Sequence, residues 1–343
     1  MKALRWYGRR DLRYVDVPEP IPGPGQLKVR VRLVGICGTD LKEYASGPVM
    51  IPPDKVPLTV GHEFAGEVAA IGEGVTGFRT GDRVTGVGYY YCGECYVCRR
   101  GLYNICVNQG FTGLLNDGCM AEYFVIPAYA CYHLPDSVSD EAGALVEPLA
   151  VALHAVRQGG VQVGDIVAIV GDGTIGLNSL MAARTAGAAA VYVIAKHRGR
   201  GELARRLGAA AVIYLDEGSP AGRLQELTGG PGADVSIECV GHPDTPRLAL
   251  DLIRRAGRSV IVGIFERPAT LDFSTITFTE KSIVGSSIYI DEGRTAVALL
   301  ADKRLDPTPL VTSTVPLRDA AEKGFEALLN DKEANIKVLV RVP

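Results

Sequence analysis

Gly171-Asp172-Gly173-Thr174-Ile175-Gly176 follows directly on Asp165-Ile166-Val167-Ala168-Ile169-Val170, and these two stretches decide the fold. The second is an unbroken apolar run, the mark of a strand buried on both faces of a parallel sheet. The first spaces its glycines as GxGxxG, leaving a strand and opening a helix. With 41 glycines in the chain a lone GxGxxG arises by accident, so the context carries the weight. Gly171 permits a tight turn, Gly173 lets a pyrophosphate approach the backbone, and Gly176 lets helix and strand pack closely. Unpaired N–H groups at the helix start, around Thr174 and Ile175, then face the phosphates. The plain alternative, a glycine turn with no ligand, ignores this strand–turn–helix setting and the further strand that ends about twenty residues on.

That further strand, Val191-Tyr192-Val193-Ile194, runs into Ala195-Lys196-His197-Arg198-Gly199-Arg200. A site for the unphosphorylated dinucleotide normally has Asp or Glu here to accept bonds from the ribose hydroxyls. Three permanent cations and a histidine stand in its place. A 2′-phosphate would be repelled by a carboxylate and drawn by Lys196, His197, Arg198 and Arg200. The cofactor expected is therefore NADP(H), with NAD(H) as the alternative. A solvated basic loop is the competing reading, but it leaves the missing acid unexplained.

Moving outward, a helix over 202–207 and strands over 211–214, 235–238, 259–262 and 283–290 continue the alternation of a doubly wound Rossmann sheet. Upstream, residues 27–138 read as short β segments broken by Gly and Pro, which suggests a partly open barrel or sandwich. The texture changes near Ala142, and 144–156 reads as helix. At the other end, Lys337-Val338-Leu339-Val340-Arg341 reads as a strand returning to the first domain. The expected division is a β-rich domain over 1–148, a nucleotide-binding domain over 149–288, and a return over 289–343. The apolar run 282–290 would need covering if it lies at a sheet edge, and a second subunit is one way to do so.

Bulk properties narrow the class. The 343 residues are 47% apolar and 22% charged, with a net charge of −3, so nothing holds a nucleic-acid backbone or an anionic membrane. No apolar run approaches a bilayer span, and the start, Met1-Lys2-Ala3-Leu4-Arg5-Trp6, lacks a signal peptide's apolar centre. The expected address is cytoplasmic. There, clustered cysteines bind metal more often than they pair.

Four of the eight cysteines form such a cluster: Cys92, Cys95, Cys98 and Cys106, spaced C-x2-C-x2-C-x7-C in a lobe over about 89–110. One loop can turn these thiolates to a common centre, and four of them close a tetrahedral zinc. That zinc is structural. Adventitious disulfides conflict with the reducing compartment, and an iron–sulfur cluster lacks neighbouring redox features. A second set is scattered: Cys37 in Gly35-Ile36-Cys37-Gly38-Thr39-Asp40, His62 and Glu63 after Gly61, and Glu147 before Pro148. Cys37 also reads as a small buried hydrophobe, His62 as a satisfied core histidine and Glu147 as a helix-start residue. Spacing alone does not assemble them.

A resemblance does. Gly61-His62-Glu63-Phe64-Ala65-Gly66, continuing to Gly72 and Val75, is similar to the zinc alcohol dehydrogenase signature. With Gly35 to Asp40, the four-cysteine lobe, Glu147-Pro148 and the glycine motif, the chain resembles the zinc-dependent medium-chain dehydrogenase/reductase family from end to end. Glu43-Tyr44-Ala45-Ser46-Gly47-Pro48 and 144–153 look most like its 2,3-butanediol and sorbitol dehydrogenase branch. The resemblance implies a GroES-like catalytic domain beside the Rossmann domain, and a dimer or tetramer. It implies a catalytic zinc held by Cys37, His62 and Glu147, with Glu63 close enough to serve as third ligand. It implies that Asp40 holds the His62 tautomer and that Thr39 takes the alcohol proton. The reaction implied is hydride transfer between a small secondary alcohol, diol or polyol and the nicotinamide. Threonine or sugar dehydrogenase activity is the enzymatic alternative, and a non-catalytic nucleotide- and zinc-binding protein the alternative of another class.

One position departs from that pattern. Relatives commonly carry a histidine five residues after the zinc-binding cysteine, assisting proton relay, and this chain has Lys42. A lysine is ordinarily charged at neutral pH and accepts no proton. Cys119, Cys131 and Cys239 lack ligand spacing. Tyr89-Tyr90-Tyr91 reads as packing, and His133, His154 and His242 show no convergent partners in the sequence.

Overall fold

The computed structural model describes all 343 residues, which divide into two compact units: Met1–Glu147 with Gly293–Pro343, and Pro148–Glu292. The divisions fall beside the 148/149 and 288/289 boundaries read from the sequence.

The first unit opens with an antiparallel pair, Lys2–Gly8 (β1) and Asp11–Asp16 (β2), which Leu58–Thr59 (β4) joins on the β1 side. Its main sheet is built on Gln26–Gly35 (β3), where apolar and charged residues alternate: Leu27, Val29 and Val31 are buried while Arg30 is exposed. That alternation fixes which face meets the core. Around β3 lie Glu63–Ile71 (β5), Arg83–Gly86 (β6), Tyr123–Pro127 (β9) and Cys131–His133 (β10). Between β6 and β9 the chain leaves the sheet for a lobe bounded by the short pair Tyr89–Tyr90 (β7) and Gly110–Phe111 (β8). Two helices are relevant here: Gly38–Ser46 (α1), which follows β3, and Asp140–Ala144 (α2). Val146–Gly159 (α3) carries the chain out of this unit. The helix expected over 144–156 is α3, shifted to Val146–Gly159, and the short α2 precedes it.

The second unit holds six parallel strands: Ile166–Val170 (β11), Ala190–Ala195 (β12), Ala211–Tyr214 (β13), Ala233–Glu238 (β14), Ile253–Ile261 (β15) and Ser282–Gly285 (β16). Their order, β13-β12-β11-β14-β15-β16, reverses direction between β11 and β14, which places the ligand crevice at the carboxyl ends of those two strands. In β11, Val167, Ala168, Ile169 and Val170 are buried, as the unbroken run predicts. Each fully buried Val or Ile contributes about 1.5–3 kcal/mol of transfer free energy. Thr174–Thr185 (α4) connects β11 to β12.

Two expectations change. The helix expected at 202–207 spans Arg198–Arg206 (α5), so the basic run is mostly its first turn and not a loop. Cations are unfavourable at a helix start, and neighbouring acids compensate, as described below. The strand expected over 283–290 is only Ser282–Gly285, at the open end of the sheet. Ile288, with φ of 49°, cannot continue an extended strand.

The chain returns to the first unit through Val311–Pro316 (β17) and Lys337–Arg341 (β18). Strand β18 pairs antiparallel with β3, Leu339 opposite Gly35, as the apolar C-terminal run suggested. This pairing carries Lys337 to the end of β3, where the first cluster of reactive side chains lies. No helix is long and apolar enough to cross a membrane.

Candidate functional site

Cys37, His62 and Glu63 converge, each offering a ligand atom, and these atoms lie within 4.8 Å of one another. Local structure explains why. Cys37 is the extended N-cap of α1, and its amide donates to Asp40 Oδ2 at 3.1 Å, as in a capping box. His62 and Glu63 enter β5, which pairs with β3 so that Glu63 lies opposite Gly35. A side chain at Gly35 would collide with the Glu63 carboxylate, so glycine is required at that close approach. Phe111 meets the His62 ring edge-on at 5.2 Å.

Several buried polar atoms of this centre lack protein partners: Thr39 Oγ1, Asp40 Oδ1 and His62 Nδ1. Unpaired buried groups are costly, and a cation with a bound oxygen ligand would satisfy such a set. The donors (thiolate, imidazole, carboxylate) are those zinc takes in open sites, so the residues fit the metal. Asp40 Oδ1 stands 3.8 Å from His62 Nδ1, close enough to bias the ring electrostatically but longer than a hydrogen bond. Burial pushes the Asp40 carboxyl up, while His62 and the Cys37 amide pull it back. Burial works against a charged His62, yet Asp40 and Cys37 carry it well above its ordinary value.

Glu147 is buried and acts on His62 through its charge, but the convergent carboxylate is Glu63. Glu63 is gripped by a residue read in the sequence only as part of a strand. Lys337 Nζ donates to Glu63 Oε1 at 2.9 Å, to Oε2 at 2.6 Å and to the Ile36 carbonyl at 2.9 Å. Both side chains are almost wholly buried. Burial works against the Lys337 ammonium, but Glu63 and Cys37 offset this and hold it above its usual value. The available signal was a charge inside the apolar run Ile336-Lys337-Val338-Leu339-Val340.

The second cluster is Cys92, Cys95, Cys98 and Cys106, whose sulfurs also lie within 4.8 Å of one another. The Cys106 and Cys92 sulfurs are 3.5 Å apart, and all eight cysteines of the chain are free thiols. The Cys98 and Val107 amides pull the Cys95 thiol down to about 6, toward the thiolate a metal takes. The remaining cysteines join no such group: Cys119 and Cys131 are buried, and Cys239 faces Ser179 Oγ at 3.9 Å. Tyr89 is buried and Tyr91 stacks on Tyr103 at 4.3 Å, which is packing. His133 contacts the Gly77 carbonyl and His242 the Asp244 carboxylate, whereas buried His154 has a partner the sequence did not reveal, Glu292 at 3.0 Å.

In the second unit the glycine motif takes the form its spacing predicts. Gly171 has φ of 117°, a side chain at Gly176 would strike the Gly171 carbonyl, and the space before Gly173 is open beyond 4 Å. Gly173 caps α4, leaving the first amides of a twelve-residue helix at the carboxyl end of β11. The basic residues are largely paired. Arg198 bonds Glu217 at 2.5 Å and Asp216 at 2.8 Å, and its guanidinium lies 3.9 Å from the Tyr214 ring centre. His197 Nδ1 lies 3.1 Å from Asp172, and Arg200 Nη1 is 3.9 Å from the same carboxylate. Lys196 is exposed.

Comparison with known proteins accords with both units. Residues 23–136 match the alcohol dehydrogenase GroES-like domain, and residues 174–302 match the zinc-binding dehydrogenase model. The chain is 38% identical to (R,R)-butanediol dehydrogenase of Bacillus subtilis over 99% of both chains. It is 35% identical to sorbitol dehydrogenase of Halalkalibacterium halodurans, again over 99% of each. Among solved structures, a putative zinc-binding dehydrogenase of Sinorhizobium meliloti bound to NADP superposes with a TM-score of 0.92 at 32% identity, covering 99% of this chain and 98% of that one. An alcohol dehydrogenase of E. coli complexed with NADH gives 0.92 at 28% identity, over 99% of both. With both units matched and relatives aligned over nearly its full length, the chain belongs to the zinc-dependent medium-chain dehydrogenase/reductase family, close to the butanediol and sorbitol dehydrogenases.

Proposed function

We propose that this oxidoreductase interconverts a small secondary alcohol, diol or polyol and its ketone, with NADP(H) as hydride carrier. The observation that carries the chemical part is the convergence of Cys37, His62 and Glu63 beside the unpartnered Thr39 hydroxyl. Bound zinc supplies Lewis-acid polarisation of the substrate oxygen, and bound dinucleotide takes up the carbinol hydride. Cys37 and His62 hold the metal, with Glu63 or Glu147 as third ligand and Asp40 orienting the imidazole. Lys337 pairs with the Glu63 carboxylate and would neutralise it. Thr39 Oγ1 accepts the alcohol proton in oxidation as its own hydroxyl proton passes on toward solvent, and the relay runs the other way in reduction. Cys92, Cys95, Cys98 and Cys106 hold a second, structural zinc.

Preference for the phosphorylated dinucleotide rests on the absence of an acid at Ala195 and on the cations at Lys196, His197, Arg198 and Arg200. Phosphates would meet Gly173 and the α4 amides from Thr174 onward. The open edge at β16, with Phe273 and Phe278 mostly exposed on the preceding helix Phe273–Thr279, supports a homodimer or homotetramer. We place the protein in the cytoplasm, where its thiols stay reduced. Kinetics over a panel of alcohols, diols and polyols with both dinucleotides tests the proposal. The largest kcat/KM is expected for a secondary diol or polyol with NADP+. A kcat/KM for NAD+ equal to or above that for NADP+ would sink the cofactor reading, and exclusive turnover of primary alcohols would sink the substrate reading.

A further inference from the structure

We infer that Asp172 is a specificity-determining residue at the adenosine end of the site, and that it acts against the 2′-phosphate. Asp172 is the second residue of the glycine motif, a position that needs no particular side chain. Its carboxylate reaches from the β11–α4 turn to the end of β12. There it accepts the Lys196 amide at 2.9 Å and the His197 amide at 2.7 Å. It also meets His197 Nδ1 at 3.1 Å and lies 3.9 Å from Arg200 Nη1. Asp172 is only 5% exposed.

A carboxylate from the neighbouring loop thus stands beside the end of the second strand, although the strand itself carries none at Ala195. Two backbone amides fix it in place, so it cannot withdraw from an arriving anion. Asp216 and Glu217 balance Arg198 in the same corner and Asp172 stands beside Arg200, while Lys196 is exposed. The basic run thus carries less net attraction for phosphate than its sequence implies, with exposed Lys196 retained. A 2′-phosphate drawn to His197 and Arg200 would also come close to a fixed carboxylate, and like charges at short range in a partly desolvated site repel strongly. An uncharged amide at 172 would keep the hydrogen bonds to the Lys196 and His197 N–H groups while removing the repulsion.

The inference rests on the placement of the cofactor proposed above, but it is read separately from the cofactor preference. The test uses the full-length, zinc-loaded protein and two non-reacting fragments, ADP-ribose and its 2′-phosphorylated form, titrated calorimetrically into wild type and Asp172→Asn. Removing the charge should tighten the phosphorylated fragment about tenfold and move ADP-ribose by less than about threefold, as expected for one like charge close to the phosphate. A dissociation constant for the phosphorylated fragment that is unchanged or weaker overturns the inference, as does equal tightening of both fragments. Asp172→Ser, whose hydroxyl also accepts amide hydrogen bonds, answers the same question if the asparagine variant does not fold. The wild-type ratio of the two constants tests NADP(H) preference, and the change in that ratio on substitution tests Asp172.

Discussion

The two metal-ligand clusters of the first unit are built in opposite ways. The four cysteines fall within one loop of fifteen residues, and amides close by in the chain pull the Cys95 thiol down. The Cys37 centre is gathered from the end of β3, the start of β5 and, through Lys337, a strand about 270 residues further along the chain. A local cluster of identical soft donors needs only the loop. A mixed cluster needs the whole sheet in register, and it leaves polar atoms unsatisfied, as at Thr39 Oγ1 and His62 Nδ1. Closed and saturated suits structure; open and unsatisfied suits chemistry.

The largest expected effect breaks the open centre without touching the lobe. Cys37→Ser keeps the helix start, because serine is a good N-cap, but replaces the thiolate. Activity should fall about 1,000-fold or more, since several kcal/mol of charge stabilisation go with the metal and each 1.4 kcal/mol is about tenfold. Metal analysis should then find one zinc per chain against the two expected of wild type, with the melting temperature little changed. Two atoms retained, or activity preserved, would remove Cys37 from the centre. Thr39→Val comes next. It deletes the proposed proton acceptor and fills nearly the same volume, so kcat should drop by about 10²–10⁴-fold with both metals retained, the usual scale for general acid–base catalysis. A normal rate would remove Thr39 from the mechanism.

Lys337→Met sharpens the comparison on stability. It strands the Glu63 carboxylate in the core, which costs about 3–5 kcal/mol when one partner of a buried pair is lost. Denaturant unfolding should report this, whereas a lobe substitution such as Cys95→Ser should change stability through metal loss, with the difference abolished by a chelator. An unchanged unfolding midpoint in Lys337→Met would mean that Glu63 is neutralised by another group.

These contrasts also explain what the sequence could and could not reveal. The Rossmann sheet was legible because β11 buries Val167 to Val170 in turn and the glycines at 171 and 176 have no alternative at their backbone positions. The cysteine lobe was legible because its ligands are neighbours. Cys37, His62 and Glu63 could be joined only by resemblance, since the register that places Glu63 opposite Gly35 is a property of the folded sheet. Lys337 was missed for the same reason. The basic run at 196–200 was visible as composition, but its neutralisation by Asp172, Asp216 and Glu217 depends on side chains brought from other loops. Charge read along a chain is not charge felt at a site.

The smallest expected effect concerns Lys42, which stands on α1 where relatives commonly carry a relay histidine. The atoms that converge at the open centre come from Cys37, His62 and Glu63, and Lys42 is not among them. Alanine there preserves the helix, being its best former, and leaves Cys37, Thr39 and Asp40 on their turn. Lys42→Ala should therefore keep kcat within about tenfold of wild type, since no general acid–base term is lost. The pH dependence of kcat should keep its shape. A loss of about 100-fold, or a new limb in that profile, would make Lys42 part of the relay, and the open centre would then reach one helical turn further from the metal than its unsatisfied atoms indicate.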